Sequence, residues 1–145
     1  LWNRPYKVML PANGAALICS IDLKELPLSY KENSVFFTAT LMDGSRVIDQ
    51  EFAYFAKPKD LRLPEPGLKS RISDKGDHFV IEITSRNFCK NLMLVSDSAD
   101  VNFSDNFFDM QPGETRLITC PATMRWEDFE KGFRMLHLGQ TMRKQ

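Results

Sequence analysis

The sequence predicts an all-β protein: a β-sandwich preceded by part of a second sandwich, with a short helix near the C-terminus. Three observations carry that expectation. Short alternating apolar segments broken by turn residues run from Leu1 to about Cys120. Proline-rich residues 57–67 interrupt them, and the run from Phe103 to Glu114 sets a polar turn against two aromatics before closing on Pro-Gly.

Taken in order, Tyr6 to Leu10 and Ala15 to Leu23 read as strands joined by Pro11-Ala12-Asn13-Gly14, where Asn-Gly accommodates positive φ. Ser34 to Leu41 is rich in β-branched and aromatic residues, and Asp43-Gly44 turns it into a hairpin with Val47 to Phe55. Four strands are thus expected before the first boundary. Pro58, Pro64 and Pro66 remove backbone donors and favour extended backbone, so 57–67 reads as a stiff interdomain linker. Five strands are expected after it: Leu68 to Ser73, Asp77 to Ser85, Lys90 to Val95, Val101 to Phe103 and Arg116 to Cys120. Phe79, Ile81 and Ile83 share one face of the second of these.

The tail changes period. Trp126, Phe129 and Phe133 recur at helical spacing, Thr123 is placed to cap the start, and Gly132 to end the helix. Phe133 to Leu138 then reads as a closing strand before a polar terminus from Gln140 to Gln145.

Within the run from Phe103 to Glu114, the expected structure is a corner of the sandwich. Asp105 and Asn106 are suited to bond backbone amides that no strand satisfies, and either Phe107 or Phe108 turns inward. Asp109, Pro112 and Gly113 complete the corner, with the Pro-Gly pair making the reversal.

Composition excludes several function classes. Nineteen Lys+Arg balance nineteen Asp+Glu, which gives no electrostatic basis for binding nucleic acid. No apolar run approaches the roughly 20 residues of a membrane-spanning helix, so no membrane partner is expected. The N-terminus shows no basic-then-apolar leader, and a chain opening on Leu1 reads as a mature or excised piece of a larger product. Cys19, Cys89 and Cys120 have no metal-site spacing. Alternation puts Cys19 with Leu17, Ile21 and Leu23 on one face, as a small buried residue, while a bridge from Cys19 or Cys89 to Cys120 stays open.

Candidates for chemistry are few. His78 and His137 lie far apart and beside no nucleophile, so each is expected to be solvated or on a strand edge. Asp97, Asp100, Asp105 and Asp109 crowd two loops without the spacing of a calcium-binding loop. A glycosidase needs two carboxyls about 5 to 10 Å apart across a cleft. Nothing marks such a pair among Glu51, Glu82, Glu114, Glu127 and Glu130. No catalytic residue, metal or cofactor is therefore expected. Trp2, Tyr6, Tyr30, Tyr54 and Trp126 are the candidates for a sugar-stacking platform, although core packing is expected of most of them.

The run of Phe103, Ser104, Asp105, Asn106, Phe107, Phe108 and Asp109, followed by Pro112, Gly113 and Glu114, resembles a signature of the last immunoglobulin-like domain of β-mannosidases in glycoside hydrolase family 2. Lys57 to Leu61 with Leu63 to Pro66 resembles the linker between the last two sandwich domains of that family. The resemblance implies that 1–56 is the C-terminal half of a penultimate immunoglobulin-like domain, 57–67 the linker, and 68–145 the complete final domain. It also implies that the paired catalytic glutamates belong to a (β/α)₈ barrel outside this chain. The expected function is then a non-catalytic C-terminal module of an enzyme that removes terminal β-D-mannose. Its partner would be the rest of that chain, including the barrel, with self-association through 1–56 as the alternative use of an uncovered strand face. The alternatives are an independent carbohydrate-binding or protein-interaction sandwich, or the same module in an exo-β-glucosaminidase. The compartment is not set by the sequence; a parent of this kind would be periplasmic, secreted or lysosomal.

Overall fold

A computed structural model of the chain describes residues 3–9, 11–25 and 31–142. The C-terminal part is a sandwich of two three-stranded sheets. One sheet has the order β3 (Leu68–Asp74), β4 (His78–Ser85), β7 (Thr115–Pro121); the other has β6 (Phe108–Met110), β5 (Cys89–Ser96), β8 (Phe133–Leu136). All pairings are antiparallel. A hairpin of β1 (Phe36–Asp43) and β2 (Arg46–Tyr54) precedes them.

The core follows from strand alternation. Phe79, Ile81 and Ile83 of β4 face inward, with Cys120 and Ile118 of β7 opposite the first two. Leu92 and Leu94 of β5 and Phe108 and Met110 of β6 supply the facing layer. Cys89 also points inward, three residues before Leu92, because β5 carries one extra residue in its pairing with β6. Asn91 absorbs that bulge at φ 49°, a left-handed conformation that asparagine tolerates better than most residues.

Helix α1 (Trp126–Gly132) closes one end of the core. Phe129 is fully buried and stacks on Phe79 at 4.6 Å, with Trp126 meeting the same ring edge-on at 5.7 Å. Its N-cap is Arg125, not the expected Thr123, and no side chain caps it there. Gly132 is the last helical residue, and glycine is needed there for a steric reason: a Cβ would lie 2.3 Å from Ser98 Oγ, which is committed to the Asp128 carbonyl.

Several expectations need correction. Residues 6–9 and 15–22 form no strand, because no neighbouring strand among the described residues offers them a ladder. Leu17 and Ile18 are exposed, and Cys19 is only half-buried. Val101 to Phe103 is likewise irregular, while the strand β6 and the helix α2 (Leu138–Met142) were not anticipated. The stretch 57–67 is not simply extended. It opens with a 3-10 turn at Pro58–Asp60 and then lies against its neighbours, burying Leu61 and Pro66. Asn87 fixes it, donating from its backbone N–H to the Pro66 carbonyl at 2.9 Å and from Nδ2 to the Glu65 carbonyl at 2.8 Å. Among the described residues, no helix is long and apolar enough to cross a membrane.

Candidate functional site

The corner is built where the β5 ladder loses its partner. β6 spans only three residues, so Leu94 on β5 has backbone groups that no strand meets on that side. Asn106 takes the place of the missing strand: its Oδ1 accepts from the Leu94 N–H at 2.8 Å and its Nδ2 donates to the Leu94 carbonyl at 2.9 Å. Asp105 does less, accepting from the Asn106 N–H at 2.8 Å and pairing with Arg116 at 3.2 Å while half exposed. Ser104 runs beside β7, its N–H donating to the Thr119 carbonyl, and Phe103 rests edge-on against Phe133.

Phe107 and Phe108 have opposite fates. Phe108 points into the core and Arg116 lies over its ring at 4.4 Å, whereas Phe107 is 63 % exposed and held at φ 60°. Pro112 and Gly113 form the central pair of a turn closed by the Glu114 N–H on the Gln111 carbonyl, with Gly113 at φ 80°. The turn is tied to β4 in both directions, through Gly113 N–H on Ser85 O and Ser85 N–H on Glu114 O.

Asp109 is the charged centre of the region. The bulge at Asn91 aims that residue's backbone N–H at Asp109 Oδ1, 2.7 Å away, and Lys90 Nζ lies 3.1 Å from Oδ2. Tyr54, the last residue of β2, donates its hydroxyl to the same Oδ2, and Lys90 Nζ sits 4.0 Å above the Tyr54 ring. Both charged side chains are about nine-tenths buried, at 10 % and 11 % exposed. Burial, followed by the neighbouring carboxylate, pushes the Tyr54 phenol well above its usual range, so it remains a donor. Next to it, Phe88 stacks on Phe36 at 4.2 Å and meets Phe52 and Tyr54 at 5.9 and 6.1 Å.

A shallow cleft of about 190 Å³ opens at this seam, between Asn33, Phe36 and Tyr54 on one side and Arg62, Phe88 and Pro112 on the other. Among the described residues, no carboxylate lines it. A groove of about 380 Å³ beside the end of β5 does carry Asp97 and Asp100, but both are exposed and Asp97 is paired with Arg134. The four aspartates of these loops do not converge: among the described residues no three His, Cys, Asp or Glu side chains are placed to hold a metal.

The remaining candidates are dispersed. His78 is partly exposed beside Asp77. His137, expected to be solvated or on a strand edge, directly follows the edge strand β8 but is buried rather than solvated, with Nε2 3.7 Å from Glu65. Of the proposed stacking aromatics, Tyr54 is committed to Asp109, Trp126 packs on Phe79, and Tyr6 is exposed near Arg4. Trp2 and Tyr30 lie outside the described residues.

The three cysteines are free, so the bridge to Cys120 does not form. Burial pushes the Cys89 thiol up to about 12, with the Asp109 and Glu65 charges adding to it, and burial raises Cys120 as well. Because the thiolate is the nucleophile, alkylation of the native chain near pH 8 is expected to label Cys19 well ahead of the other two. Peptide mass spectrometry after a short iodoacetamide pulse checks this; equal labelling of all three would contradict the burial of Cys89 and Cys120.

Residues 63–141 match the family model of the mannosidase Ig-fold domain, and residues 1–60 match that of the mannosidase Ig/CBM-like domain. No curated protein matches the chain.

Proposed function

The chain belongs to the Ig-fold domain family of mannosidase-type proteins, and from that premise we propose that it is the non-catalytic C-terminal module of an enzyme hydrolysing terminal β-D-mannose residues. The observation that carries this reading is the succession of two mannosidase-type family matches along one chain, with the corner from Phe103 to Gly113 inside the second. The carboxylates support it. Asp109 is consumed by Lys90, Asn91 and Tyr54, and Glu114 by Arg116 and the Gln111 N–H. Neither is free to act as one of two acids flanking a sugar.

The organisation we propose is a partial immunoglobulin-like domain at 1–56, a linker at 57–67 and a final domain at 68–145. The face of the β1–β2 hairpin carrying Ala39, Leu41 and Ala53 is exposed, and packing against the parent chain would cover it. The coding sequence upstream of Leu1 is the direct test. A (β/α)₈ barrel with paired glutamates supports the reading, and its absence overturns it. The isolated chain is expected to show no turnover of an aryl β-mannoside. Turnover that disappears when one glutamate of this chain is replaced would show that the chain itself is catalytic.

A further inference from the structure

Among the described residues, the β1–β2 hairpin meets the C-terminal sandwich both through aromatic rings and through polar groups. Phe36, Phe52 and Tyr54 meet Phe88 through their rings, at centroid separations of 4.2, 5.9 and 6.1 Å. Ring contacts of this sort tolerate sliding and tilting, because dispersion and burial are only weakly directional. The Tyr54 hydroxyl is different. It reaches a carboxylate whose position is fixed from the sandwich side by Lys90 Nζ and by the Asn91 N–H, the latter aimed by a bulged residue at φ 49°.

We propose that this hydroxyl is a polar latch: closing on the Asp109–Lys90 pair, it locks the β1–β2 hairpin to the C-terminal sandwich in one orientation, so that the two move as a single body. Three features support the assignment. The pair is nearly excluded from water, which strengthens a charge-assisted bond relative to one at the surface. The phenol is held protonated by its burial and by Asp109, so the donor persists across the pH range in which the chain is handled. Lys90 lies over the Tyr54 ring as well as beside Asp109, so one cation restrains both the ring and the acceptor. The hairpin, as a two-stranded sheet, has little stability of its own and depends on such an attachment.

The Tyr54→Phe variant of the full chain isolates the latch, since it keeps the ring, its contact with Phe88 and the cation above it. Amide hydrogen exchange followed residue by residue is the readout. Amides of β1 and β2 are expected to exchange about 10- to 100-fold faster than in the parent, as befits the loss of one bond to a charged acceptor. Those of β4 and β7 are expected to stay within about twofold of the parent. Unchanged protection in the hairpin would overturn the proposal. So would equal acceleration in β4 and β7, which would make Tyr54 an ordinary member of one cooperative core.

Discussion

Asp109→Ala is expected to destabilise the chain by about 3 to 5 kcal/mol. The loss is not that of one favourable contact. Removing the carboxylate leaves the Lys90 ammonium, only about a tenth exposed, without its counter-charge. It also orphans the Asn91 N–H in the bulge and the Tyr54 hydroxyl at the hairpin seam. With a urea slope of about 2 kcal/mol per molar, the unfolding midpoint should fall by roughly 2 M. The double replacement Asp109→Leu with Lys90→Met is expected to recover only the part of that loss due to the unpaired ammonium, because a buried ion pair is costly to break but not to replace by apolar volume, while the Asn91 N–H and the Tyr54 hydroxyl stay without an acceptor. A single variant with an unchanged midpoint would mean that water reaches Lys90 and that the pair is not buried in solution.

What could be read from the sequence, and what could not, divides by the distance over which each feature is determined. The inward face of Phe79, Ile81 and Ile83 follows from a period of two within one strand, and the helical spacing of Trp126 and Phe129 is equally local. The hairpin turn at Gly44, with φ 57°, is local too. Residues 15–22 alternate just as a strand does, yet a strand exists only when paired, and that requirement is invisible in the segment itself. The missed helix α2 is too short to show a full apolar stripe, and His137, read as solvated or on a strand edge, is buried just beyond the edge strand β8, near Glu65.

The corner shows the same division. Its turn chemistry marked residues 103–113, but the partners that give it meaning lie elsewhere. Leu94, which Asn106 satisfies, is 12 residues away, and Tyr54, which binds Asp109, is 55 residues away. Lys90 stands in the sequence only as the first residue of an expected strand, and its buried pairing with Asp109 depends on the bulge beside it in β5. The one weak signal was Asn91: an asparagine inside an apolar strand is a residue type that tolerates the left-handed conformation of a bulge.

Phe108 and Phe107 provide the sharpest contrast, since they are adjacent and chemically identical. Phe108→Ala is expected to cost about 3 to 5 kcal/mol, because its ring fills the inner face of β6 opposite Leu92 and supports the Arg116 guanidinium 4.4 Å above it. Phe107→Ala should change stability by less than about 0.5 kcal/mol, since the ring is largely in solvent and the substitution keeps the same unfavourable backbone angle. Phe107→Gly should instead stabilise by about 1 kcal/mol, net of the added freedom of glycine in the unfolded chain, because the residue sits at φ 60° where a Cβ is penalised. The order of stabilities, Phe107→Gly above the parent and Phe108→Ala far below it, is set by backbone angle and burial alone. Chemical denaturation of the three variants measures it. Equal losses at 107 and 108 would mean that both rings are buried and that the corner turns the other way.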